Sequence, residues 1–454
     1  MKYPNVLLLT IDTLRADWLG CYGHPKAISP HMDAFAEKSM RFTQAVTGGS
    51  WTQAAFPVMM TSTYASMYGG CLGPLSEERP SPISTLTIQG YKTAGFSTSP
   101  LLSKTFAYDQ GFEQFIDLVP NEKDNFVRKM KGGQSLLRNP LFHQLALTFG
   151  QNMRPAKVYE PAEVLVDSVI DWLSLTNGPF FAWAHFMDVH WPYHLEDQLT
   201  KPMDIAQAWE DLVHLHEVNW KGASISDDQK AHYIGLYEKA IRYTDAEIGR
   251  LLNWLEQSPL ADDTIIIIVS DHGEEFMERG YWGHVEINLY DEILKVPMLM
   301  RLPGQQEGQV IEQQVRTLDI MPTVLELCNC EIPERTEGSS FAPLWNGNPA
   351  AYDQPVSISE RWREENHVVA VRTEAFKYIW DSETPEQPKL YDLLADPKEL
   401  TNVVANFPTE AEYFQTHVDA HLAKVEASKP DEKVEEPQLD KNVVNRLRDL
   451  GYVE

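Results

Sequence analysis

Short apolar runs that stop abruptly at polar residues punctuate this chain. Residues 5–11 are almost wholly apolar and end just before Asp12. A run of that kind predicts a central strand covered on both faces. Residues 264–269 repeat the pattern and lead into Ser270-Asp271-His272-Gly273. Further strands are predicted over 42–46, 92–97, 179–185 and 295–301. Apolar residues at helical spacing predict helices over 30–39, 54–60, 83–89, 161–175, 232–257 and 318–327, with Gly90 as a C-cap after the third. Strands alternating with helices indicate an α/β fold, a large and mostly parallel central sheet with helices on both faces. Ligands gather outside the carboxyl ends of such strands. Asp12 and Asp271-His272 each sit just past one, so residues far apart in the chain converge there.

Beyond residue 345 the pattern changes. Short strands at 357–360, 368–372, 377–380 and 389–392, with a helix over 410–427, predict a small antiparallel sheet with a helix. The expected organisation is therefore a catalytic α/β domain over 1–345, an α+β subdomain over 346–427, and a charged linker with a docking tail over 428–454. Two insertions interrupt the first domain. Residues 121–156 are polar and basic, a helical insertion or lid, and residues 197–230 are acidic and partly helical. There is no internal repeat.

The 454 residues are enough for a large core, and 43% hydrophobic with 11% aromatic residues is a globular composition. The net charge of −28 speaks against non-specific nucleic-acid binding and against an anionic membrane surface. An anionic substrate then needs a local positive site, which a bound cation supplies. Four cysteines, Cys21, Cys71, Cys328 and Cys330, are few for a disulfide framework, and Cys328-Asn329-Cys330 lacks a partner cluster for zinc. No stretch approaches the roughly 20 apolar residues of a membrane span, and the opening run is too short for a secretory leader. The expectation is a soluble cytoplasmic protein with a small anionic ester substrate, no nucleic-acid or membrane partner, and homo-oligomerisation left open.

Asp12 alone reads as a strand-end cap. Asp271-His272-Gly273 is sharper: adjacent carboxylate and imidazole after a strand form half a site for a divalent cation. Between them in the chain lies Thr52, in Ser50-Trp51-Thr52-Gln53-Ala54-Ala55-Phe56-Pro57. A metal-bound hydroxyl loses its proton more readily and can attack phosphorus or sulfur to form a covalent ester. Thr52 also reads as a helix N-cap, and the two roles are compatible, since a helix N-terminus favours anions.

The order of motifs resembles the sulfatase family of the alkaline phosphatase superfamily, over nearly the whole chain. Ile11-Asp12-Thr13-Leu14-Arg15-Ala16-Asp17-Trp18-Leu19-Gly20-Cys21-Tyr22-Gly23 is similar to its opening strand and loop. Residues 50–62 occupy its nucleophile segment, and 269–273 with Gly283-His284 and Val296-Pro297 its second metal block. Leu318-Asp319-Ile320-Met321-Pro322-Thr323, Glu337-Gly338-Ser339-Ser340, Leu390-Tyr391-Asp392-Leu393 with Asp396-Pro397, and Leu450-Gly451-Tyr452 fit later signatures. The resemblance implies an alkaline phosphatase-like fold, with Asp12, Thr52, Asp271 and His272 as ligands of one divalent metal and Thr52 as nucleophile. The departures are informative. Typical members carry Cys or Ser in a Cys/Ser-x-Pro-x-Arg segment and oxidise it to formylglycine. Here Thr52, Ala54 and Phe56 stand at those positions. Thr13 replaces the second aspartate of an Asp-Asp pair, no Lys-x-His is evident in 96–104, and His284 replaces a late lysine. This resembles the unmodified-threonine branch, nearer to phosphodiesterases and phosphonate monoester hydrolases. Fewer hard oxygens favour Mn or Zn over Ca.

His190, in His185-Phe186-Met187-Asp188-Val189-His190, matches the family's substrate-contacting histidine and can protonate a leaving group. His284 is expected to contact the substrate anion, and His185 to be a satisfied strand-end residue. Asp188, His190 and His284 leave room for a second metal ion. Tyr281 and Trp282 read as loop packing, and Arg15 as an anion contact or a helix cap. The leading expectation is a hydrolase of phosphodiesters or phosphonate monoesters acting through Thr52. The alternatives are a sulfatase without formylglycine, and a transferase moving a phospho-group to a sugar or lipid.

Overall fold

The computed structural model describes residues 3–119, 133–149, 155, 159–195, 199–284, 288–352, 356–363, 366–430 and 444. In chain order the strands are β1 (Asn5–Ile11), β2 (Met40–Val46), β3 (Lys92–Ser97), β4 (Gln114–Asp117), β5 (Phe180–Phe186) and β6 (Thr264–Ser270). A two-stranded ribbon, β7 (Glu275–Phe276) and β8 (Trp282–Gly283), precedes β9 (Lys295–Arg301), β10 (Gln309–Ile311) and β11 (Val315–Arg316). Apart from the ribbon, these strands form one nine-stranded sheet in the order β10-β2-β9-β6-β1-β5-β3-β4, with β11 also on β2. Strand β9 runs antiparallel to β2 and β6, and every other pairing in this sheet is parallel. The sheet is mixed and mostly parallel, as the apolar runs indicated.

Strand β1 lies at its centre because every residue in it is buried. Leu7, Leu9 and Ile11 face one core with Val166, Val169 and Leu251, while Val6 and Leu8 face another with Phe56, Met59 and Val324. This two-residue alternation covers both faces with helices. Ala162–Leu175 and Asp227–Glu256 pack on one side, Thr52–Thr61 and Ile320–Leu327 on the other. The parallel register pairs Thr10 with His185 and Ile11 with Ser270. The ends of β1, β5 and β6 therefore open into one space.

Some boundaries differ from expectation. The long helix starts at Asp227 rather than 232, because Ser226 and Gln229 form a capping box in a polar first turn. Helix Pro202–Lys221 occupies the acidic insertion. The earlier insertion shows helices Gly133–Leu137 and Pro140–Thr148 among its described residues. The expected helix over 318–327 begins at Ile320, after a 3-10 turn in which Arg316 pairs with Asp319 at 2.6 Å.

A separate antiparallel sheet runs β12 (Ser357–Arg363), β13 (Asn366–Arg372), β14 (Phe376–Asp381) and β15 (Lys389–Asp392). Helix Pro408–Ala427 covers it through Phe414, Val418 and Val425 against Val369, Val371 and Leu390. Apart from residue 444, the tail expected over 443–452 lies outside the described residues, as does most of the linker. Among the described residues, no helix is long and apolar enough to cross a membrane.

Candidate active site

Where β1 and β6 end side by side, backbone groups lose their sheet partners and side chains replace them. Ser270 Oγ lies 2.7 Å from the Ile11 and His272 carbonyls and accepts from the Leu14 N–H at 2.9 Å. Thr13 then turns left-handed, with φ of 57°. For a β-branched residue that conformation is strained, at about 1–3 kcal/mol. Three bonds hold it there. Thr13 N–H donates to Asp271 Oδ1 at 3.2 Å, its hydroxyl to the Val189 carbonyl at 2.9 Å, and Tyr237 O–H to its carbonyl at 2.8 Å. The Thr13 hydroxyl is thus engaged by the Val189 carbonyl. Gly273 serves close approach rather than a special turn: an added Cβ would collide with the Glu292 carbonyl.

Asp12, Asp271 and His272 are fully buried, and each offers a ligand atom within 4.8 Å of the others. Asp12 Oδ1, Asp271 Oδ2 and His272 Nε2 have no hydrogen-bond partner. Nε2 of His272 lies 3.7 Å from Asp12 Oδ1 and 3.5 Å from Asp271 Oδ2. Its Nδ1–H donates to the Gly273 carbonyl at 2.9 Å, which fixes the tautomer and leaves a lone pair on Nε2. Buried polar atoms left without partners carry a large desolvation penalty. Three of them converging on one point fit a divalent cation. The titration pattern agrees. Burial opposes charge on Asp12, but the hydrogen bond from His185 and the charges of His190 and His272 outweigh it and hold its pKa well below the ordinary range. Asp271 is pushed far up by burial and the Asp12 charge. Burial and His284 lower His272 to about 3. The opposite shifts of Asp12 and Asp271 reflect two carboxylates buried side by side, an arrangement that a cation between them would stabilise.

Thr52 opens helix Thr52–Thr61 as its first helical residue, and Trp51 is the cap, where Thr52 itself read as one. Trp51 is extended, and its carbonyl accepts from Ala54 N–H at 3.0 Å and Ala55 N–H at 2.9 Å. With the cap supplied by Trp51, the Thr52 hydroxyl points across to Asp12 and donates to Oδ2 at 3.4 Å. Phe56, one turn on, is fully buried, with its ring centroid 4.9 Å from that of His185 and 5.5 Å from that of Trp183. An apolar ring thus stands where the family resemblance leads one to expect an arginine.

The rings of His190 and His284 lie 4.9 Å apart, and that of His284 is 4.5 Å from His272. His190 Nδ1–H donates to the Trp191 carbonyl at 2.7 Å, making Nε2 its basic nitrogen. Burial lowers the pKa of His190, and that of His284 to about 4. Asp188, by contrast, accepts from Ala162 N–H at 3.3 Å. Among the described residues, Asp188, His190 and His284 form no second group of converging ligand atoms. Arg15 is held by Asp17 at 2.7 Å, Glu278 at 2.6 Å and the Glu274 carbonyl at 3.0 Å, so its guanidinium serves the loop rather than a substrate anion. Trp282 is buried against Phe276 and Tyr233, as loop packing requires.

Sequence reasoning missed two residues. His185 does bond Thr10 through Nδ1 at 2.9 Å, but its Nε2 also lies 3.4 Å from Asp12 Oδ2. Glu274 is buried 2.9 Å from His284 Nδ1 and accepts from Tyr193 O–H at 3.1 Å. Burial raises it to about 8. Pairing Thr10 with a strand-end histidine was the available signal for His185. A second acid right after Asp271-His272-Gly273 was the signal for Glu274.

A family model described as sulfatase matches residues 4–330, and one described as N-sulphoglucosamine sulphohydrolase, C-terminal, matches residues 278–428. The choline-sulfatase of Rhizobium meliloti (strain 1021) is 32% identical over 487 aligned positions, 99% of this chain and 92% of that protein. The ulvan-active sulfatase of Formosa agariphila is 26% identical over 94% of this chain and 82% of its own length. The solved phosphonate monoester hydrolase of Agrobacterium radiobacter shares the fold, with a TM-score of 0.71 at 19% identity, covering 93% of this chain and 96% of that one. Enzymes of this superfamily typically use a divalent metal, for which the buried ligand set is suited. The chain belongs to the sulfatase family of the alkaline phosphatase superfamily and is an ester-bond hydrolase.

Proposed function

We propose that this enzyme hydrolyses phosphodiesters or phosphonate monoesters through a covalent ester on Thr52. The observation that carries the reading is an unmodified threonine hydroxyl, buried at the start of a helix and aimed at Asp12 Oδ2 across 3.4 Å. Asp12, Asp271, His272 and Thr52 would hold a divalent cation, which would neutralise charge and make the hydroxyl more acidic; Mn or Zn would suit this donor set better than Ca. Asp12 Oδ2 orients the Thr52 hydroxyl, whose proton leaves to solvent as the new bond forms. The Oγ1–P bond forms as the bond from phosphorus to the leaving oxygen breaks. His190 keeps Nδ1–H on the Trp191 carbonyl, takes up a proton on Nε2 when the anionic substrate binds, and gives it to the leaving oxygen. His284, held through Nδ1 by Glu274, contacts the substrate anion. Water then adds at phosphorus and passes a proton to His190 Nε2, the Oγ1–P bond breaks, and Thr52 regains its proton from solvent.

One assay series tests this. An aryl phosphodiester, an aryl phosphonate monoester and an aryl sulfate are compared under one set of conditions. Intact-mass measurement during turnover looks for a phosphorus adduct on Thr52. Faster turnover of the phosphorus esters with an adduct supports the reading, and sulfate as the only ester cleaved would end it. That second outcome is favoured by the relatives themselves, which are named sulfatases.

A further inference from the structure

A second group of buried acid and histidine lies away from this site. Glu360 on β12, His367 on β13 and His421 on helix Pro408–Ala427 are all buried, with ligand atoms within 4.8 Å of one another. By residue type they resemble a metal set. Their hydrogen bonds say otherwise. Glu360 Oε2 accepts from His421 Nε2 at 2.7 Å, His367 Nε2 at 3.0 Å and Ser66 Oγ at 2.7 Å, and Oε1 accepts from Ser66 N–H at 2.6 Å. Both carboxylate oxygens are satisfied. His421 Nδ1 is buried without a partner. A histidine bound to metal through Nε2 would carry an orphaned Nδ1–H there, whereas metal ligands almost always donate that proton. As a donor from Nε2–H, His421 keeps only a lone pair on Nδ1, which is far easier to bury. The group is a hydrogen-bonded clamp. Burial opposes the Glu360 charge, but the hydrogen bonds from its two histidine partners hold its pKa well below the ordinary 4.5.

The clamp grips the stretch that carries Thr52 at both ends. Ser66 follows helix Thr52–Thr61, and Glu360 binds its N–H and its hydroxyl. Ahead of the helix, Glu360 N–H donates to the Gly48 carbonyl at 3.0 Å, and Ser359 Oγ donates to the Thr47 carbonyl at 2.6 Å. Gly49 forms a bridge with Glu360 and lies so close to the helix that an added Cβ would stand 2.5 Å from Ala54 Cβ. Any shift of residues 47–49 is therefore passed to the first turn, where Thr52 sits. Ala54 and Val58 share one core with Ile358, Val369 and Val371, which makes the contact rigid.

We propose that Glu360 is a positioning residue for Thr52: its carboxylate, through Ser66, fixes the helix that aims the hydroxyl at Asp12, while its backbone N–H holds Gly48. The inference rests on the reading of Thr52 as nucleophile. The test uses full-length, metal-loaded protein and the variants Glu360→Ala, Glu360→Gln and Ser66→Ala. Hydrogen exchange is followed across residues 47–66, with β1 and β6 as internal references. Faster exchange confined to 47–66 in Glu360→Ala is expected. With it, kcat falls on the order of 10- to 100-fold, the scale of a small misplacement, while KM and metal content hold. Glu360→Gln keeps an acceptor for Ser66 N–H and recovers part of kcat. Ser66→Ala removes one donor and gives a smaller loss, which keeps the test alive should Glu360→Ala fail to fold. Wild-type kcat in a folded Glu360→Ala protein, or exchange raised evenly throughout, overturns the proposal. So does metal that persists in Asp271→Ala and disappears with His421→Ala. Exchange does not depend on turnover. Confined loosening in Glu360→Ala alongside an active Thr52→Ala enzyme would sink the nucleophile reading alone.

Discussion

Asp12, Asp271 and His272 at the sheet end, and Glu360, His367 and His421 under the C-terminal helix, draw on the same chemistry. Both groups are buried and both bring carboxylate and imidazole within one coordination radius. They differ in which atoms have partners. At the sheet end one oxygen of each aspartate and the free imidazole nitrogen face each other without hydrogen bonds, while the other histidine nitrogen is fixed on a carbonyl. Under the helix every Glu360 oxygen is satisfied and the unpartnered nitrogen of His421 points elsewhere. The cause is local. Strand ends release side chains from sheet geometry, so a cluster can stay open for a ligand. Glu360 and His367 remain within paired strands, with His367 opposite Trp362, and fall into hydrogen-bonding distance. Residue type names the chemistry available, and the unmet polar atoms separate a ligand set from a structural one.

Four measurements break or sharpen that contrast. The largest effect belongs to Thr52→Ala, with turnover expected to fall on the order of 10⁴-fold or more, as for other lost nucleophiles, while metal analysis stays at the wild-type level. Next is stability. Glu360→Ala strands the donors of two histidines and Ser66, and urea titration should show a loss of about 3–5 kcal/mol. His272→Ala removes an unmet group instead, so the metal-free protein should lose far less. Metal removal ranks third. Excess cation at 100 times its Kd adds about 2.7 kcal/mol, so a chelator should lower the melting temperature of wild type and Glu360→Ala but leave Asp271→Ala unmoved. An unchanged wild-type melting curve would argue against a bound ion at the sheet end. The smallest effect is in acid. A carboxylate whose folded pKa is depressed contributes stability above its unfolded value, lost as pH falls through the folded one. For Glu360 the ordinary value is 4.5, so its share is intact at neutral pH and fades only below that. Glu360→Gln should flatten the acid limb of the stability profile and leave the profile above about pH 5 parallel to wild type.

Much of this was legible in the chain because it depends on local pattern. Apolar runs ending at Asp12 and Ser270 were enough to put two strand ends together, since a buried parallel strand has few other solutions. The clamp was not legible. Ser66 and Glu360 are 294 residues apart, and neither stands out in its own segment. Thr52 as the first helical residue rather than the cap was also hidden, because Trp51 caps through its carbonyl, which carries no side-chain signature. The left-handed Thr13 was hidden for the opposite reason: a β-branched residue is the last one expected there, and Asp271, Val189 and Tyr237 hold it from distant parts of the chain.

Phe56 carries a consequence for substrate choice. Where an arginine would bring a permanent positive charge, a ring packs edge-on against His185, and Arg15 is already neutralised by Asp17 and Glu278. Among the described residues named at this site, positive charge facing a substrate would come from a bound cation and from imidazoles whose protonation burial disfavours. Such a pocket is expected to favour an ester carrying one negative charge over one carrying two. Diesters, phosphonate monoesters and sulfate monoesters carry one; phosphate monoesters near neutral pH carry close to two. On that count a simple aryl phosphate should be the poorest substrate of the series, and introducing Arg at position 56 would be the change that begins to admit it.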